Sequence, residues 1–397
     1  MKSEILSRNR RRTSRRQFLK TTARSVIGDA SATRFKCRGA YTSRALPIFV
    51  LVACLLAVRP LLASPPGFRL QVVPANVYKV DDPGGSKTSS FVFDIAVICL
   101  RDCELSPRSA LVELYSAGSI VERQNWTAKM LAKIKRTSFR IESNTPVMAP
   151  VRATALAEAF ELRFYFRQAQ VFAIDSVALR LTITSATGRQ AEQTLTIPVR
   201  YYQQKTSLIF PIRGHGVIGQ DYVTNGGHGG HGDFSDEFGL DIDGLDQNYG
   251  ELSETDENAA DAGWGREILA PAAGTVVYAR NDVPTNPKPG AEPDETWYRP
   301  LHDPVNASAG NCVIIDHGNS EYSVIMHMQT GSLTVKLGDH IAAGQVIGKL
   351  GNSGDAFGPH LHYQLQSGPR LWEFQSLPLK FQNIDAPLSR GRYFDVK

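Results

Sequence analysis

Hydrophobic and polar residues alternate in a series of short runs between residues 66 and 205. Alternation with a period of two is typical of β-strands that bury one face, and turn-like pieces such as DDPGGSK and SATGRQ separate the runs. Several such strands in one region predict a β-sandwich of the immunoglobulin-like type. We expect its strands at FRLQVV, FVFDIAVICL, LVELYSAG, FELRFYF, VALRLTITS and QTLTIPVRYY.

Another stretch of this region, WTAKMLAKIKRTSFR, fits either a short helix or an edge strand with solvated lysines. The sequence between residues 65 and 205 contains no catalytic constellation. We therefore predict that these residues form a binding or spacer module.

A domain boundary is predicted near residues 201–214, YYQQKTSLIFPIRG, because glycine and histidine become frequent beyond it. Glycine turns separate the strands that follow, which is typical of an antiparallel β-domain, here residues 206–397. Two long loops, residues 244–266 and 281–310, interrupt this domain and are expected to wall a substrate groove. The expected strands are FGLDID, GTVVYAR, NCVIIDHG, YSVIMHM, HIAAGQVIGKL and HLHYQL.

The first 64 residues are predicted to be a basic tail followed by a signal or anchor segment. Residues 45–58, ALPIFVLVACLLAV, form an apolar run of about the length of a signal-peptide core, and small residues suited to cleavage after Ala63 follow. We therefore expect the folded part in the periplasm or cell envelope, or tethered to the membrane through residues 45–63. The export route stays open, since SRRQFLK resembles a twin-arginine signal and LVAC resembles a lipoprotein box.

The positive charge of the chain is concentrated at its N-terminus. Residues 1–44 hold thirteen Lys and Arg against two Asp and Glu, a net charge of +11, so the rest of the chain carries −6 of the total of +5. Beyond this tail we find no basic patch interleaved with aromatic residues, and we expect no nucleic-acid partner.

The five cysteines limit the kinds of metal site that are possible. Cys99 and Cys103 can form a small-loop disulfide across a turn, which fits an exported protein. The sequence has no C-x-x-C zinc ribbon, so any metal must rely on histidine and carboxylate ligands.

Candidate ligands of that kind lie on three predicted strands. In GPHLHY, His360 and His362 share one strand face, although a polar, half-exposed face would explain this pair alone. Asp241 and Asp243 share a face of FGLDID, and His327 ends the apolar strand SVIMHM. A catalytic zinc site needs three such ligands and leaves the fourth position to water, so these strands together predict a zinc site.

The run from residue 311 to residue 365 resembles the core of the lysostaphin-type (LytM-like) zinc endopeptidases. The resemblance rests on GPHLH, the histidine at a strand end and the VKLGDHIAAGQ turn in this order, and LAPAAGTVVYA fits the same family. It covers residues 207–366 and implies a β-fold of the duplicated hybrid motif type. It also implies an enzyme that cleaves peptide bonds of bacterial peptidoglycan. Carried over by position, Asp241 and His362 would be zinc ligands. His327 and His360 would act on the water and the oxyanion.

The third ligand is where this sequence departs from the family, which usually has H-x-x-x-D at its first site. Glu237 stands four residues before Asp241. We favour His231, because a glycine-rich loop is flexible enough to bring it to the metal, with His228, Glu237 and a metal-free site as alternatives. Asp243 would either contact a ligand histidine or be solvated. No role is expected for the remaining histidines, His215, His302, His317 and His340.

The sequence therefore predicts an exported zinc metalloendopeptidase that acts on cross-links or stem peptides of peptidoglycan. Two alternatives are a non-catalytic family member that regulates a cell-wall amidase and a peptidase that acts on protein substrates. A non-catalytic member typically loses metal ligands. The presence of Asp241, His327, His360 and His362 favours catalysis.

Overall fold

The computed structural model of this chain describes residues 67–82, 87–100, 104–136, 160–222, 228, 234–248, 257–291, 308–385 and 388–397. Strands make up almost all of its regular structure, which confirms the prediction of an all-β protein. The predicted anchor, residues 45–63, lies outside the described residues. Within them, no helix is long and apolar enough to cross a membrane.

The N-terminal elements are β1 (Phe68–Val73), β2 (Val77–Asp81), β3 (Thr88–Cys99), β4 (Leu105–Ser116), β5 (Ser119–Thr127), helix α1 (Ala128–Ile134), β6 (Lys135–Arg136), β7 (Phe160–Ala169), β8 (Ser176–Ser185) and β9 (Gln190–Arg200). The C-terminal strands are β10 (Gly214–Gln220), β11 (Leu240–Gly244), β12 (Glu267–Leu269), β13 (Gly274–Arg280), β14 (Asn311–Asp316), β15 (Tyr322–Met328), β16 (His340–Ile341), β17 (Val346–Lys349), β18 (Leu361–Gln366), β19 (Ser376–Leu377) and β20 (Tyr393–Val396).

Strands β1 to β9 form one sheet, in the order β5-β4-β8-β9-β2-β3-β7-β6, with β1 paired to β3. Strand β8 illustrates why alternating residues give this structure, because its buried positions are every second residue and the positions between them are more exposed. Strands β2 and β9 pair in parallel, so the hydrogen-bonded path runs through the whole sheet without a break. The immunoglobulin-like arrangement of this region stays a prediction.

The segment that fitted either a helix or an edge strand contains both. Thr127 caps helix α1 by accepting a hydrogen bond from the backbone N–H of Met130, and Leu131 is the residue that the helix buries. The two-residue strand β6 follows directly and pairs with β7. Cys99, at the end of β3, is in a disulfide, and its expected partner Cys103 lies outside the described residues.

The second sheet has the order β16-β13-β14-β15-β18-β11-β10-β20, with β19 paired to β18. Every pairing in it is antiparallel, as the glycine turns predicted. All positions of β18, and nearly all of β14 and β15, are buried. Polar side chains on these central strands must therefore find partners inside the protein.

Glu321 ties the connection between the two sheets to the turn before β15. Its buried carboxylate accepts hydrogen bonds from Tyr202 Oη at 2.6 Å and from the backbone N–H groups of Lys205 and Thr206 at 2.8 and 2.6 Å. The contacts within residues 63–397 make them one compact unit. The predicted boundary between residues 205 and 206 stays a prediction.

Apolar residues before strand β11 pack against the N-terminal sheet. Phe234 joins a buried cluster with Val73, Ala96 and Ile98 of that sheet. In a second cluster, Tyr222 and Phe238 pack with Val92. The segment leading into β11 is therefore held by residues more than a hundred positions away.

Candidate metal centre

Asp241 and His362 face each other across neighbouring strands. The pairing of β11 with β18 places the two residues in register, and His362 Nδ1 lies 3.1 Å from Asp241 Oδ1. His360 stands just before β18, and its Nε2 lies 3.6 Å from the same carboxylate oxygen. The two histidines of H-x-H thus reach one point, as expected for residues on one strand face.

His228 completes this group from a loop. Its Nε2 lies 3.4 Å from Asp241 Oδ1, and its ring meets the ring of His362 edge-on at a centroid distance of 4.7 Å. Two bonds hold it in place, one from its backbone N–H to Glu237 O and one from its Nδ1 to Gly239 O at 3.0 Å. Ligand atoms of His228, Asp241 and His362 all lie within 4.8 Å of one another, a spacing that a metal ion can bridge.

The geometry thus assembles the group with His228, which the sequence ranked second. His231, the favoured third ligand, lies outside the described residues, and its role stays a prediction. Glu237 is buried before β11 and is not a member of the metal-capable group among the described residues.

His327 lies beside His360 at the end of strand β15. It is buried, and its ring centroid is 4.8 Å from that of His360 and 6.1 Å from that of His362. Its backbone φ is 62°, in the left-handed region that non-glycine residues seldom adopt. The backbone thus leaves the β conformation where the side chain joins the site.

Each of the four histidines uses one ring nitrogen outside the group. An oxygen in hydrogen-bonding distance of that nitrogen can only accept, so the nitrogen carries the proton. In His228, His327 and His360 the other nitrogen of a neutral ring then has a lone pair, whereas Nδ1 of His362 also meets an acceptor, Asp241 Oδ1 at 3.1 Å. The four donor–acceptor pairs are His228 Nδ1 with Gly239 O, His327 Nδ1 with Ser353 O, His360 Nδ1 with Gly358 O and His362 Nε2 with Gln364 Oε1.

This donor set fits a metal cation. Three imidazole nitrogens approach one carboxylate oxygen, and lone pairs so arranged repel one another unless a metal cation or a proton lies among them. Two neutral imidazoles and a carboxylate are also the kind of ligands that zinc takes in catalytic sites. Gly239 leaves room for the ring of His362, because a Cβ at this position would lie 2.7 Å from Cε1 of His362.

Burial and mutual charge shift the pKa values of the group. Burial lowers the pKa of His228 to about 4 and, with the neighbouring His360 and His362, lowers the pKa of His327 well below its usual value. Burial alone would raise the pKa of Asp241, but the surrounding histidines outweigh it and hold that pKa below its usual range. Burial alone would lower the pKa of His362, but its contacts with Asp241 and Gln364 outweigh burial and raise that pKa. Neutral imidazoles and an ionised carboxylate are the forms that bind metal, so a metal ion must displace a proton from His362.

Asp243 lies two residues beyond Asp241 on β11. It is half-buried, and its pKa is raised to about 6, mainly by burial and further by the charges of Asp241 and Asp261. The sequence led us to expect that Asp243 either contacts a ligand histidine or is solvated. Its partial burial lies between these two expectations.

The remaining histidines lie away from the group where they are described. His317 follows β14 and contacts Ser323 Oγ. His340 is exposed on β16 and its Nδ1 lies 3.0 Å from Thr275 Oγ1 of β13, and His215 lies on β10. His302 lies outside the described residues. Gln364 was missed from the sequence, although its position two residues after His362 on the same strand face was a usable signal.

Residues 258–372 match the protein family described as "Peptidase family M23". This match confirms the resemblance to the lysostaphin-type peptidases. It includes His327, His360 and His362 but begins after His228 and Asp241, whose place in the group rests on the geometry.

The chain is also similar to curated proteins over short segments. It is 46% identical over 57 residues to the peptidoglycan DD-endopeptidase ShyA of Vibrio cholerae, covering 14% of this chain and 13% of that protein. It is 42% identical over 59 residues to the peptidoglycan DD-endopeptidase ShyC of the same organism, covering 15% and 13%. The similar segment thus spans about an eighth of the length of these relatives.

Two solved structures resemble the chain over less than half of its length. The catalytic domain of the M23 protein EnpA from Enterococcus faecalis has 22% identity and a TM-score of 0.26, covering 41% of this chain and 88% of that one. The catalytic domain of lysostaphin from Staphylococcus simulans has 18% identity and a TM-score of 0.23, with the same coverage.

Proposed function

We propose that this chain, which matches peptidase family M23 over residues 258–372, is a zinc metalloendopeptidase that hydrolyses peptide bonds in bacterial peptidoglycan. The observation that carries this proposal is the convergence of three histidine nitrogens on Asp241 Oδ1. The choice of substrate is supported by the two similar proteins named as peptidoglycan DD-endopeptidases.

In this proposal His228, Asp241 and His362 hold the zinc ion. His228 would use Nε2 and His362 would use Nδ1, because their other nitrogens are engaged outside the group. Bound there, zinc would supply Lewis acidity and a water that is reactive at neutral pH. Three protein ligands leave a coordination position open for this chemistry.

His327 and His360 are the proposed proton-handling residues. Each donates its Nδ1–H to a backbone carbonyl, Ser353 O at 2.8 Å and Gly358 O at 2.9 Å. Each therefore has a free Nε2 lone pair, which can take a proton from the attacking water. The resulting imidazolium can stabilise the developing oxyanion or protonate the leaving amine.

We further propose that the protein works outside the cytoplasm, in the periplasm or cell envelope. The support is the apolar run at residues 45–58 and the substrate named for the similar proteins. In this proposal residues 45–63 are either cleaved or act as a membrane tether. The N-terminal sheet, as an immunoglobulin-like module, would place the peptidase domain on the envelope or on a partner.

The test is digestion of purified peptidoglycan by the zinc-loaded protein, followed by mass analysis of the released fragments. The proposal expects new amino termini within stem peptides or cross-links, and no such products from His360→Ala. Cleavage of an unfolded protein such as casein, with peptidoglycan left intact, would show that the substrates are proteins and not peptidoglycan. Stoichiometric zinc binding with neither substrate cleaved would overturn the peptidase proposal.

A further inference from the structure

His362 differs from the other three histidines of the group in the partner of its outer nitrogen. The outer nitrogens of His228, His327 and His360 meet backbone carbonyls, whereas His362 Nε2 meets the side-chain oxygen of Gln364 at 3.1 Å. A backbone carbonyl acceptor does not depend on which side chain the residue carries. The acceptor for His362 Nε2–H therefore depends on one particular side chain.

We propose that Gln364 is a positioning residue that holds His362 in its metal-binding tautomer. This inference rests on the proposed function, since it assumes that the group binds zinc. When Gln364 Oε1 accepts a hydrogen bond, His362 Nε2 keeps its proton. Nδ1, 3.1 Å from Asp241 Oδ1, is then the nitrogen that gives up its proton and offers a lone pair when the metal binds. In this proposal Gln364 acts only through His362.

A glutamine can present either its oxygen or its amide nitrogen, so something must orient Gln364. Its Nε2 donates to Ser235 O at 2.8 Å and to Gln366 Oε1 at 2.9 Å. Gln366 Nε2 in turn donates to the backbone carbonyls of Gly368 at 2.6 Å and Arg370 at 3.2 Å. Because carbonyl oxygens only accept, the direction of every bond in this chain of amides is determined, and Gln364 must turn Oε1 towards His362.

Burial makes the orientation costly to change. Gln364 and Gln366 have no exposed surface, and His362 is 4% exposed. Without an acceptor, the buried Nε2–H of His362 would be unsatisfied. The ring would then favour the other tautomer, in which Nδ1 carries the proton and is unavailable to the metal.

The experiment measures the zinc dissociation constant of the purified protein at pH 7 by competition with a chromophoric chelator. Gln364→Met, which is similar in size but has no acceptor oxygen, is expected to weaken zinc binding by about 10–100-fold. Gln366→Met is the matched control. It breaks the chain one residue further away but leaves Gln364 bonded to Ser235 O and to His362, so its effect should stay within about threefold.

Rescue by Gln364→Glu separates positioning from packing. Glutamate keeps an acceptor for His362 Nε2–H, and its second oxygen, when protonated, can donate to Ser235 O. Its zinc affinity should therefore lie between those of Gln364→Met and the unchanged protein. Thermal unfolding of each variant without metal is the folding control. Gln364→Asn, which withdraws the oxygen by one methylene, is expected to show the same loss of zinc affinity as Gln364→Met. It is used in place of Gln364→Met if Gln364→Met does not fold.

Two results would overturn the inference. One is zinc affinity in Gln364→Met, or in its Asn replacement, within about threefold of the unchanged protein, and the other is an equal loss in the Gln364 and Gln366 variants. Zinc affinity is read without substrate, so these results leave the peptidase proposal untouched. Conversely, an unchanged protein that binds zinc but cleaves nothing defeats the proposed function and still allows the Gln364 comparison.

Discussion

Strand β18 and the loop around His228 each bring a histidine to Asp241, but they hold it in different ways. His362 is fixed by hydrogen-bonded pairing of β18 with β11 on one side and with β15 on the other. His228 is held by its bonds to Glu237 O and Gly239 O, while Phe234 and Phe238 pack the following residues onto the N-terminal sheet. The strand thus positions its histidine through the alternation of its residues and its pairing with neighbouring strands. The loop positions its histidine through hydrogen bonds and through packing against residues that are distant in sequence.

Substitutions within H-x-H give the largest effects on the strand side of this comparison. His362→Ala is expected to lose both zinc and activity, because it removes a ligand. His360→Ala should keep about one zinc per chain but lose about 10²–10⁴-fold in rate, the usual contribution of a proton-transfer group. Metal analysis of the desalted proteins and peptidoglycan digestion provide the two measurements. Equal zinc loss in both variants would contradict this division of roles.

Substitution of the loop histidines tests whether the loop supplies a zinc ligand. His228→Ala should lose most of its zinc, since two protein ligands hold the ion poorly. His231→Ala is the matched variant, three residues along the same glycine-rich segment, and should retain zinc. Zinc content of both proteins, measured side by side at pH 7, decides between them. Full occupancy in His228→Ala with loss in His231→Ala would restore the ligand that the sequence favoured.

A smaller effect is expected where the loop touches the strand histidine. In Gly239→Ala, the new Cβ would lie 2.7 Å from His362 Cε1, so the ring must shift. We expect about tenfold weaker zinc binding and about 1–3 kcal/mol lower unfolding free energy, the usual range for overpacking. Gly358→Ala is the control, because its Cβ meets only Pro289 at 3.9 Å. A zinc affinity of Gly239→Ala equal to that of Gly358→Ala would show that the loop and the ring do not constrain each other.

Glu321→Gln should give the smallest effect on the site and separates general stability from metal binding. Burial would raise the pKa of Glu321, but hydrogen bonds from Tyr202, Lys205 and Thr206 outweigh it and lower the pKa from 4.5. The stability that this carboxylate provides is therefore complete above pH 4.5 and is lost as the pH falls through the lower folded-state value. Glutamine should cost about 2 kcal/mol at pH 7, and the difference should shrink below pH 4.5.

Urea unfolding at a series of pH values measures this difference, and zinc content at pH 7 is the accompanying control. Glu321 precedes β15 while His327 is near the end of that strand, so zinc content should not change. A difference in unfolding free energy that stays constant down to pH 3 would contradict the assigned role of the carboxylate.

The strand contributions to the fold and the site could be predicted from the sequence. Period-two alternation located β8 and β18, and the pairing of His360 with His362 followed from the same geometry. Strands β5 and β10 were not anticipated. The first is largely polar, because much of its surface is exposed, and the second, GHGVIGQ, is rich in glycine.

The position of His228 could not be predicted in this way. His228 and His231 stand in the same glycine-rich segment, and no local period distinguishes them. What brings His228 to Asp241 is the bonding of the loop to Glu237 and Gly239. The orientation of Gln364 likewise depends on the carbonyl of Ser235, which only the folded chain brings close.

The packing of Phe234 has a consequence for how this protein can be divided into fragments. A fragment that began at residue 206 would contain the whole metal-binding group but would leave Phe234, Tyr222 and Phe238 without the apolar surface that covers them. Such a fragment would tend to self-associate through the uncovered rings. The N-terminal sheet thus covers part of the segment that leads into β11, and a transplant of the C-terminal sheet to another carrier would need a new cover for these three rings.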